Sequence, residues 1–316
     1  MKEMKNKVIA AAVTLSMLLP AGTSHVGAAK SSAKMLKSEM PIEVLYNARK
    51  IVFDVKPKMV DGTVLVPVRY VSEKLQATVT KQGSTILVVI GDKKIELTIG
   101  SKVADINGKI VTLPQPAIVE NGRTLVPIRV ISEGLGVSVR WDEVARFVWV
   151  GNEDVPKVED VAELVDIKPF LPYYKGFEAF LDPYRTGKPA TKAYVLNYSD
   201  FPVIINESIY YRWELVKDAD GNQYIKSTTT QGGAMGTGLT FLSKGYKLRD
   251  RLERSRYRES INAFRIHYYS IVYGSDLDSI GDTNYSNFKI ENVNYIGIKD
   301  TVGMNPAPIL VDNPFQ

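Results

Sequence analysis

Hydrophobic and polar positions in residues 41–151 follow a pattern that occurs twice. Aligning residues 61–79 with residues 121–139 gives nine identities in nineteen positions, and both segments contain Leu-Val-Pro-x-Arg followed by Ser-Glu-x-Leu. A match of this length within one chain indicates an internal repeat. We therefore expect this part of the chain to consist of two similar structural units.

Each unit predicts the same order of turn, strand and helix. The Asp-Gly and Asn-Gly dipeptides that end at Gly62 and Gly122 favour tight turns, because both residue types tolerate positive φ. The next Leu-Val pair predicts a short buried strand. Pro67 and Pro127 then suit the first turn of a helix, where a missing backbone N–H costs little.

Apolar residues after each proline recur with the helical period. They are Val68, Val71 and Leu75 in the first unit, and Ile128, Ile131 and Leu135 in the second. This spacing places them on one helix face. The segments ATVTKQ, VSVRWDE, TILVVIG and RFVWVGN then predict strands. Residues 41–151 are thus expected to form an α+β repeat domain of small helices and antiparallel strands.

Two charged positions also recur in the repeat. Arg69 and Glu73 are four residues apart, as are Arg129 and Glu133, so each pair lies on one surface of its helix. We interpret these four residues, together with the two glycines and two prolines of the motif, as structural.

The sequence after residue 151 is dominated by strand patterns. AYVLNYS, FPVIIN, SIYYRWELV, FRIHYYSIVYG and NFKIENVNYIGIKD alternate or are continuously apolar, and turn residues separate them. Residues 152–316 are therefore expected to form a mainly β domain, an antiparallel sandwich. The segment AELVDIKPFLPYYKGFEAFLDPY is expected to contain a short helix or an arm packed on the sheet.

Residues 1–29 have the pattern of a secretory signal peptide. Three lysines among the first seven residues precede an apolar run from Val8 to Leu19, and small residues end the segment at Ala28 and Ala29. The run is shorter than the ~20 residues that a membrane-spanning helix needs. The mature chain is expected to begin after one of these alanines with a linker, residues 30–40. It is expected to be secreted, to associate with the cell wall and to lack a transmembrane segment.

Composition separates the two predicted domains. Residues 30–151 have a net charge of +6 and residues 152–316 a net charge of −3, while fifteen of the 17 tyrosines follow residue 151. The chain has no cysteine, which excludes disulfides and thiolate metal sites. An exported protein of this kind is typical of a Gram-positive bacterium.

One segment of the second half is rich in basic residues. Between Ser243 and Ser260 the chain has seven Lys and Arg residues, with Asp250, Glu253 and Glu259 among them. Mixed charge and the expected export favour a solvated helix or loop over a nucleic-acid site, so no nucleic-acid partner is expected.

DADGN, residues 218–222, predicts a hairpin turn, because it lacks the spacing of a calcium loop. The glycine-rich loop 228–238 lacks a phosphate-binding P-loop motif.

The repeat resembles a known bacterial domain. GTVLVPVRYVSEKL and GRTLVPIRVISEGLGVSVRWD, with IGSKVADINGKIVTL between them, are similar to the copper amine oxidase N-terminal-like domain, also called the stalk domain. The resemblance covers roughly residues 42–151. It implies a small helix wrapped by antiparallel strands and no catalytic role. Lys74 and Gln76 depart from the glycines of the second unit, so the end of the first helix is expected to differ.

The resemblance does not extend to amine oxidase chemistry. Copper amine oxidases use three histidine ligands and a tyrosine cofactor formed within Asn-Tyr-Asp/Glu. This chain has two histidines, and His25 lies in the predicted signal peptide. His267 alone cannot supply such a metal site. We therefore expect no catalytic residue, no metal and no cofactor.

The second half is the part in which a binding function is expected. Tyrosine-rich β surfaces bind sugars and proteins, because the ring is rigid and amphipathic. The candidate binding residues are Tyr173, Tyr174, Tyr184, Tyr268 and Tyr269. The favoured function is a non-catalytic surface protein whose stalk-like module displays or docks a domain that binds a cell-wall polymer or another surface protein.

One alternative function remains open at the sequence level. An extracellular hydrolase acting on cell-wall or other polymer would use carboxylates such as Glu207, Glu214 and Glu259. Two of them would have to lie roughly 5–9 Å apart in one cleft.

Overall fold

The chain folds mainly into β-strands. A computed structural model describes residue 35 and residues 40–182, 186–230, 238–253, 257–299 and 307–316. Strands predominate in these ranges, and most of their pairings are antiparallel. The β-rich character predicted from the alternating positions is confirmed. None of the helices in these ranges is both long enough and apolar enough to span a membrane.

The N-terminal half, residues 41–151, contains two α-helices and three sheets. Its strands are β1 (Glu43–Tyr46), β2 (Arg49–Lys50), β3 (Lys58–Val60), β4 (Thr63–Pro67), β5 (Thr78–Gln82), β6 (Thr85–Ile90), β7 (Lys93–Thr98), β8 (Val103–Ile106), β9 (Lys109–Thr112), β10 (Ile118–Glu120), β11 (Arg123–Pro127), β12 (Val139–Asp142) and β13 (Phe147–Val150). The helices are α1 (Val68–Lys74) and α2 (Ile128–Gly134). The sheet orders are β12-β13-β1-β2, β10-β11-β4-β3 and β5-β6-β7-β8-β9.

The two copies of the repeated motif lie side by side. Strands β4 and β11 are antiparallel, and Val66 is opposite Val126, its equivalent in the other copy. Pro67 and Pro127 end these strands in extended geometry and directly precede the helices. Each proline is therefore one residue outside the helix rather than in its first turn. Gly62 has a φ of +76° at its turn, a value that favours glycine.

The predicted apolar helix faces supply the core of this half. All six residues predicted for those faces are buried in one hydrophobic cluster, together with side chains from all three sheets. The charged pairs lie on the opposite side. Arg129 Nε is 3.6 Å from Glu133 Oε1, and both side chains are more than half exposed. An exposed pair of this type contributes only about 0.3–0.5 kcal/mol.

The two helices end alike, although their sequences differ. Gly136 has a φ of +82° and Gln76, its equivalent, has a φ of +60°. A side chain in this left-handed region is strained, whereas glycine is not. We expect Gln76→Gly to raise the free energy of unfolding by about 0.5–1 kcal/mol in urea denaturation.

The matched control for this substitution is Gln82→Gly. Gln82 is exposed and lies in strand β5, so glycine should lower stability there, because it adds freedom to the unfolded chain. A stability loss with Gln76→Gly equal to that of the control would contradict the helix-end explanation.

In its described residues, the C-terminal half, residues 152–316, contains a six-stranded and a five-stranded sheet. Its strands are β14 (Glu163–Asp166), β15 (Lys192–Leu196), β16 (Val203–Ile205), β17 (Ser208–Lys217), β18 (Gln223–Thr229), β19 (Gly238–Ser243), β20 (Lys247–Arg251), β21 (Glu259–Ile261), β22 (Phe264–Ser270), β23 (Val293–Lys299) and β24 (Ile309–Asp312). The α-helices are α3 (Val158–Val161) and α4 (Ser275–Ile280). The sheet orders are β14-β15-β24-β23-β19-β20 and β16-β17-β18-β22-β21.

The six-stranded and five-stranded sheets share one hydrophobic cluster. Phe241 and Val311 of the first sheet and Ile225 and Tyr269 of the second are among its buried members. Strand β24 lies between β15 and β23 and runs parallel to β15. The alternation of apolar residues seen in the sequence therefore reflects side chains that enter this shared core.

A second cluster covers the six-stranded sheet on its other side. The segment expected to hold a short helix or an arm forms strand β14 and two stretches of 3-10 helix, Lys168–Tyr174 and Glu178–Leu181. Phe170 of this segment packs with Leu242 and Leu310 of the sheet. The arm thus covers the sheet face that does not meet the five-stranded sheet.

Part of the predicted linker contacts the second half. Met35 forms an isolated β-bridge with Asp218, and the Lys226 ammonium group is 3.9 Å from the Met40 sulfur. The predicted signal peptide, most of the linker, Tyr184 and residues 231–237 of the glycine-rich loop lie outside the described residues. The domain boundaries remain a prediction.

Candidate functional site

Strand β20 places two arginines inside the C-terminal half. Leu248 points to the cluster under the 3-10 segment, and its neighbour Arg249 is 4% exposed. Arg251 is 1% exposed. A guanidinium group at this depth needs charge compensation and several hydrogen-bond acceptors.

Asp276 at the start of helix α4 compensates both arginines. Arg251 donates from Nη1 and Nη2 to the two Asp276 oxygens, each at 2.8 Å, and from Nη2 to the Ile271 carbonyl oxygen at 3.0 Å. Arg249 donates to Asp276 Oδ2 from its Nη1. Asp276 itself is fully buried. One carboxylate therefore serves two buried cations.

Arg249 has a second carboxylate and an aromatic contact. Its Nη2 donates to Asp282, and the guanidinium carbon lies 3.9 Å from the centre of the Phe288 ring. The hydrogen bond from Arg249 holds the pKa of the Asp282 carboxyl below its usual range, so this residue is anionic near neutral pH.

A small open pocket lies over Arg249. Its volume is about 190 Å³. Its charged lining residues are Lys244, Lys247, Arg249 and Asp282. Lys244 and Lys247 are exposed at the β19–β20 turn, and in the described part of the chain no ion pair joins either one to a carboxylate.

The remaining lining residues are mostly amides. They are Ser243, Asn284, Asn287, Phe288 and Asn292. Asn287 Nδ2 donates to Asn284 Oδ1 at 2.6 Å, and the Lys244 backbone N–H donates to the Asn292 carbonyl oxygen at 2.8 Å. The second contact ties the basic turn to the asparagine-rich segment and gives the pocket a defined shape.

The prediction of a solvated helix or loop for the basic segment is wrong for this part. Lys247 to Arg251 form an edge strand, and the two arginines face the core because Asp276 and Asp282 supply the opposite charge. Those aspartates follow well after the basic segment in the chain, so the local charge pattern could not reveal the pairing. The two exposed lysines agree with the solvated interpretation.

A second candidate region lies where the two halves meet. Strand β13 is buried on both faces. Val148 and Val150 enter the core of the N-terminal half. Phe147 and Trp149 pack instead in a cluster with Tyr211 of strand β17. The strand thus links the two halves through its alternating side chains.

Arg212 is the charged residue at the centre of this contact. It is 2% exposed and donates from Nη1 to the carbonyl oxygens of Ala145 at 2.8 Å and Pro41 at 3.1 Å. Its guanidinium carbon lies 5.5 Å from the centre of the Phe147 ring. Arg212 Nη2 is also 3.9 Å from Glu43 Oε1. A side chain of the C-terminal half therefore donates hydrogen bonds to two backbone carbonyl oxygens of the N-terminal half.

Strand β2 adds a further ionic contact between the halves. Lys50 Nζ lies 3.1 Å from Glu43 Oε2 and 4.2 Å from the centre of the Tyr198 ring. Burial lowers the pKa of Lys50, and the Glu43 carboxylate opposes that shift. Arg49 Nη2 is 2.8 Å from Asp200 Oδ1. The contact between the halves therefore combines apolar packing with several polar anchors.

The described candidate tyrosines are core residues. Tyr173 and Tyr174 are buried under the 3-10 segment, and Tyr268 and Tyr269 are buried on the two faces of strand β22. Their rings offer no exposed surface to a ligand. Tyr246, which no sequence pattern distinguishes from the other tyrosines, is 61% exposed in the turn that also holds Lys244 and Lys247.

The candidate carboxylates of the hydrolase alternative have separate surroundings. Glu214 is buried 3.2 Å from the Lys226 ammonium group, Glu259 accepts a hydrogen bond from the Tyr268 hydroxyl at 2.5 Å, and Glu207 is exposed. None of these three lines the pocket over Arg249.

DADGN forms the β17–β18 turn, and Asp218 accepts backbone N–H groups of Asp220 and Asn222.

His267 is buried in strand β22. Its Nδ1 lies 3.1 Å from Glu253 Oε1, a carboxylate that also accepts from Arg258 Nε at 2.6 Å. Neither ring nitrogen has a well-aligned hydrogen bond in the described residues. Burial lowers the pKa of His267, and Glu253 only partly offsets this effect. Burial therefore favours the neutral form of this imidazole in the folded protein.

This burial predicts a pH-dependent stability. Since the folded pKa lies below the value of about 6.5 that is usual for histidine, the unfolded chain binds more protons between the two values, and stability falls as pH drops through that window. The slope should reach up to about 1.4 kcal/mol per pH unit. Urea unfolding at several pH values, compared between wild type and His267→Gln, measures it.

In this comparison the variant should lose the His267 part of the pH dependence. An NMR titration of the imidazole C–H signal reports the folded pKa directly. A folded pKa above 6.5, or equal slopes in both proteins, would contradict the prediction.

In the described residues, no group of three histidine, aspartate or glutamate side chains is placed to hold a metal ion.

The fold and these sites define a chain with two parts: a half built around two short helices and three sheets, and a β-rich half that carries a polar pocket. Residues 45–150 match the family model of the copper amine oxidase N-terminal domain. This segment is therefore a copper amine oxidase N-terminal-like domain, the type of domain that forms the non-catalytic stalk of amine oxidases. The match does not extend into residues 152–316. None of the curated proteins matches the chain.

Proposed function

We propose that this is a non-catalytic protein of the cell exterior in which the stalk-like domain holds a β-rich binding domain in a fixed orientation. The signal-peptide pattern supports export, and the identity of residues 45–150 supports a structural role for the first half. A Gram-positive cell wall or another surface protein is the proposed partner.

The observation that carries this proposal is the buried contact centred on Arg212. Its hydrogen bonds to Ala145 and Pro41 and its packing on Phe147 join the two halves through atoms removed from water. A flexible spacer needs no such contact, because a linker alone keeps two domains together. The stalk-like domain is therefore proposed to dock the binding domain rather than only to tether it.

We also propose that the first half is a duplicated α+β unit and the second an antiparallel sandwich. The β4–β11 pairing about Val66 and Val126 supports a pseudo-twofold relation between the units. The cluster shared by the six-stranded and five-stranded sheets supports the sandwich. In this arrangement the pocket over Arg249, with Tyr246 exposed nearby, is the proposed binding region.

Binding is tested by co-sedimentation. The chain from residue 30 onward is mixed at micromolar concentration with purified Gram-positive cell walls and centrifuged. We expect the protein in the pellet, with saturation as its concentration rises. Recovery in the supernatant at every concentration would refute a wall polymer as partner.

Export is tested separately by expressing the full chain in a Gram-positive host. We expect the protein in the wall or medium fraction, with an N-terminus at residue 29 or 30. A cytoplasmic protein that keeps its first 28 residues would contradict the proposed location.

A further inference from the structure

We propose that the pocket formed by the β19–β20 turn and residues 282–292 binds a phosphate group carried on a small polyol or sugar. This inference rests on the proposed binding function for its source in the cell wall. The pocket itself can be tested without any cell-wall material.

The charge balance of the pocket favours an anion. Asp276 is shared by Arg249 and Arg251, and Asp282 pairs with Arg249, so these four buried or partly buried groups compensate one another. Lys244 and Lys247 add two positive charges that no carboxylate pairs with in the described residues. Lys247 also acts electrostatically on Asp282, but four cations and two carboxylates leave this group with a net charge of +2. Such a concave surface attracts an anion and raises its local concentration.

The arrangement of the cations favours phosphate over carboxylate. Both Nη atoms of Arg249 already donate to aspartates and its Nε is buried, so the exposed cations that a ligand meets at this pocket are the two lysines. The two lysines carry compact point charges on flexible stems. Such groups can approach different oxygens of a tetrahedral phosphate.

The size and lining of the pocket favour a small polar group. Its volume of about 190 Å³ lies below the roughly 300–1,000 Å³ typical of sites for drug-sized ligands. Asn284 and Asn292 line it with amides, which can donate to phosphate or hydroxyl oxygens. A phosphate with a short polyol attached matches this volume and this mixture of donors and acceptors.

The floor of the pocket is fixed before a ligand arrives. Arg249 is held by two carboxylates and by the Phe288 ring, while its buried Nε has no hydrogen-bond partner in the described residues. A rigid floor reduces the ordering cost of binding. The exposed lysines at the rim are then the groups that must become ordered around the anion.

The test uses the chain from residue 30 onward and isothermal titration calorimetry. The probes are inorganic phosphate, glycerol 3-phosphate and a glycerol-phosphate polymer, with acetate and glycerol as comparison ligands. We expect the three phosphate compounds to bind and Lys244→Gln/Lys247→Gln to weaken glycerol 3-phosphate binding at least tenfold. Unchanged circular dichroism and melting temperature would show that the variant is folded.

The matched control is Lys81→Gln/Lys109→Gln. Both residues are exposed in the N-terminal half, so the control has the same change in net charge and an intact pocket. It should bind glycerol 3-phosphate like the wild type. Equal weakening in both double variants, equal affinity for acetate and phosphate, or no phosphate binding at millimolar concentration would each overturn the inference.

The probes also separate the possible sources of phosphate. Tighter binding of the polymer than of inorganic phosphate supports a wall-polymer source. Binding of inorganic phosphate alone would overturn the polyol part of the inference. Cell-wall co-sedimentation that persists while the phosphate titration fails would reject this pocket and leave the proposed function standing. Intact phosphate binding with no co-sedimentation would support this pocket and reject the cell wall as the proposed partner.

Discussion

Asp276→Asn is expected to lower the free energy of unfolding by about 3–5 kcal/mol. The asparagine keeps the shape of the side chain but removes the charge that Arg249 and Arg251 share. Both guanidinium groups are buried, so neither can recover its hydration without local opening of the structure. Urea unfolding of the full chain, followed by tryptophan fluorescence, measures the loss.

The control is Asp278→Asn in the same short helix. Asp278 is exposed, so the same chemical change should alter stability by less than about 0.5 kcal/mol. A third variant, with Arg249→Met, Arg251→Met, Asp276→Leu and Asp282→Asn, removes the whole charged group. It should regain much of the lost stability, because apolar residues often replace buried ion pairs without loss. Equal stability of the two asparagine variants would contradict the role assigned to Asp276.

Arg212→Ala is expected to have the second-largest effect, a loss of about 3 kcal/mol. Alanine leaves the carbonyl oxygens of Pro41 and Ala145 without their donor and removes the cation from the Phe147 ring. The loss falls on the contact between the halves rather than on either core. Differential scanning calorimetry should therefore show one transition for the wild type and two for the variant.

Arg129→Ala provides the comparison for Arg212→Ala. Arg129 is 64% exposed and, among the residues that the structure describes, pairs only with Glu133 at 3.6 Å, so its loss should change stability by a few tenths of a kcal/mol. Limited proteolysis between the halves adds an independent readout. If Arg212→Ala melts in one transition at the wild-type temperature, the halves do not depend on this contact.

Local sequence patterns predicted the helices, strands and turns whose conformation is fixed by residues close to them in the chain. The helices that follow the two prolines, the strands on either side of them and the long strand SIYYRWELV follow from apolar spacing and turn residues. The DADGN turn also follows from its own side chains, because Asp218 accepts the N–H groups of residues close to it. In each of these cases the partner that fixes the conformation is only a few residues away.

The sites depend on partners that are distant in sequence. Arg249 and Arg251 are buried because Asp276 and Asp282 fold back onto them, and a charged strand gives no local sign of this. The same reason explains the tyrosines: Tyr173 is buried because its segment covers the six-stranded sheet. A periodicity argument identifies a strand, but it does not identify which of its faces another element will cover.

One feature of the sheets has a consequence for the order in which the protein folds. Strand β1 pairs with β13, at the other end of the N-terminal half, and β15 pairs with β24, close to the end of the chain. Pairings between distant segments form slowly, because a long loop must close first. As the chain is made from its N-terminus, β1 and β15 must wait with an open edge for their partners. The second core closes only when Ile309–Asp312 arrives, so chaperone protection of nascent chains should be needed longest for β15.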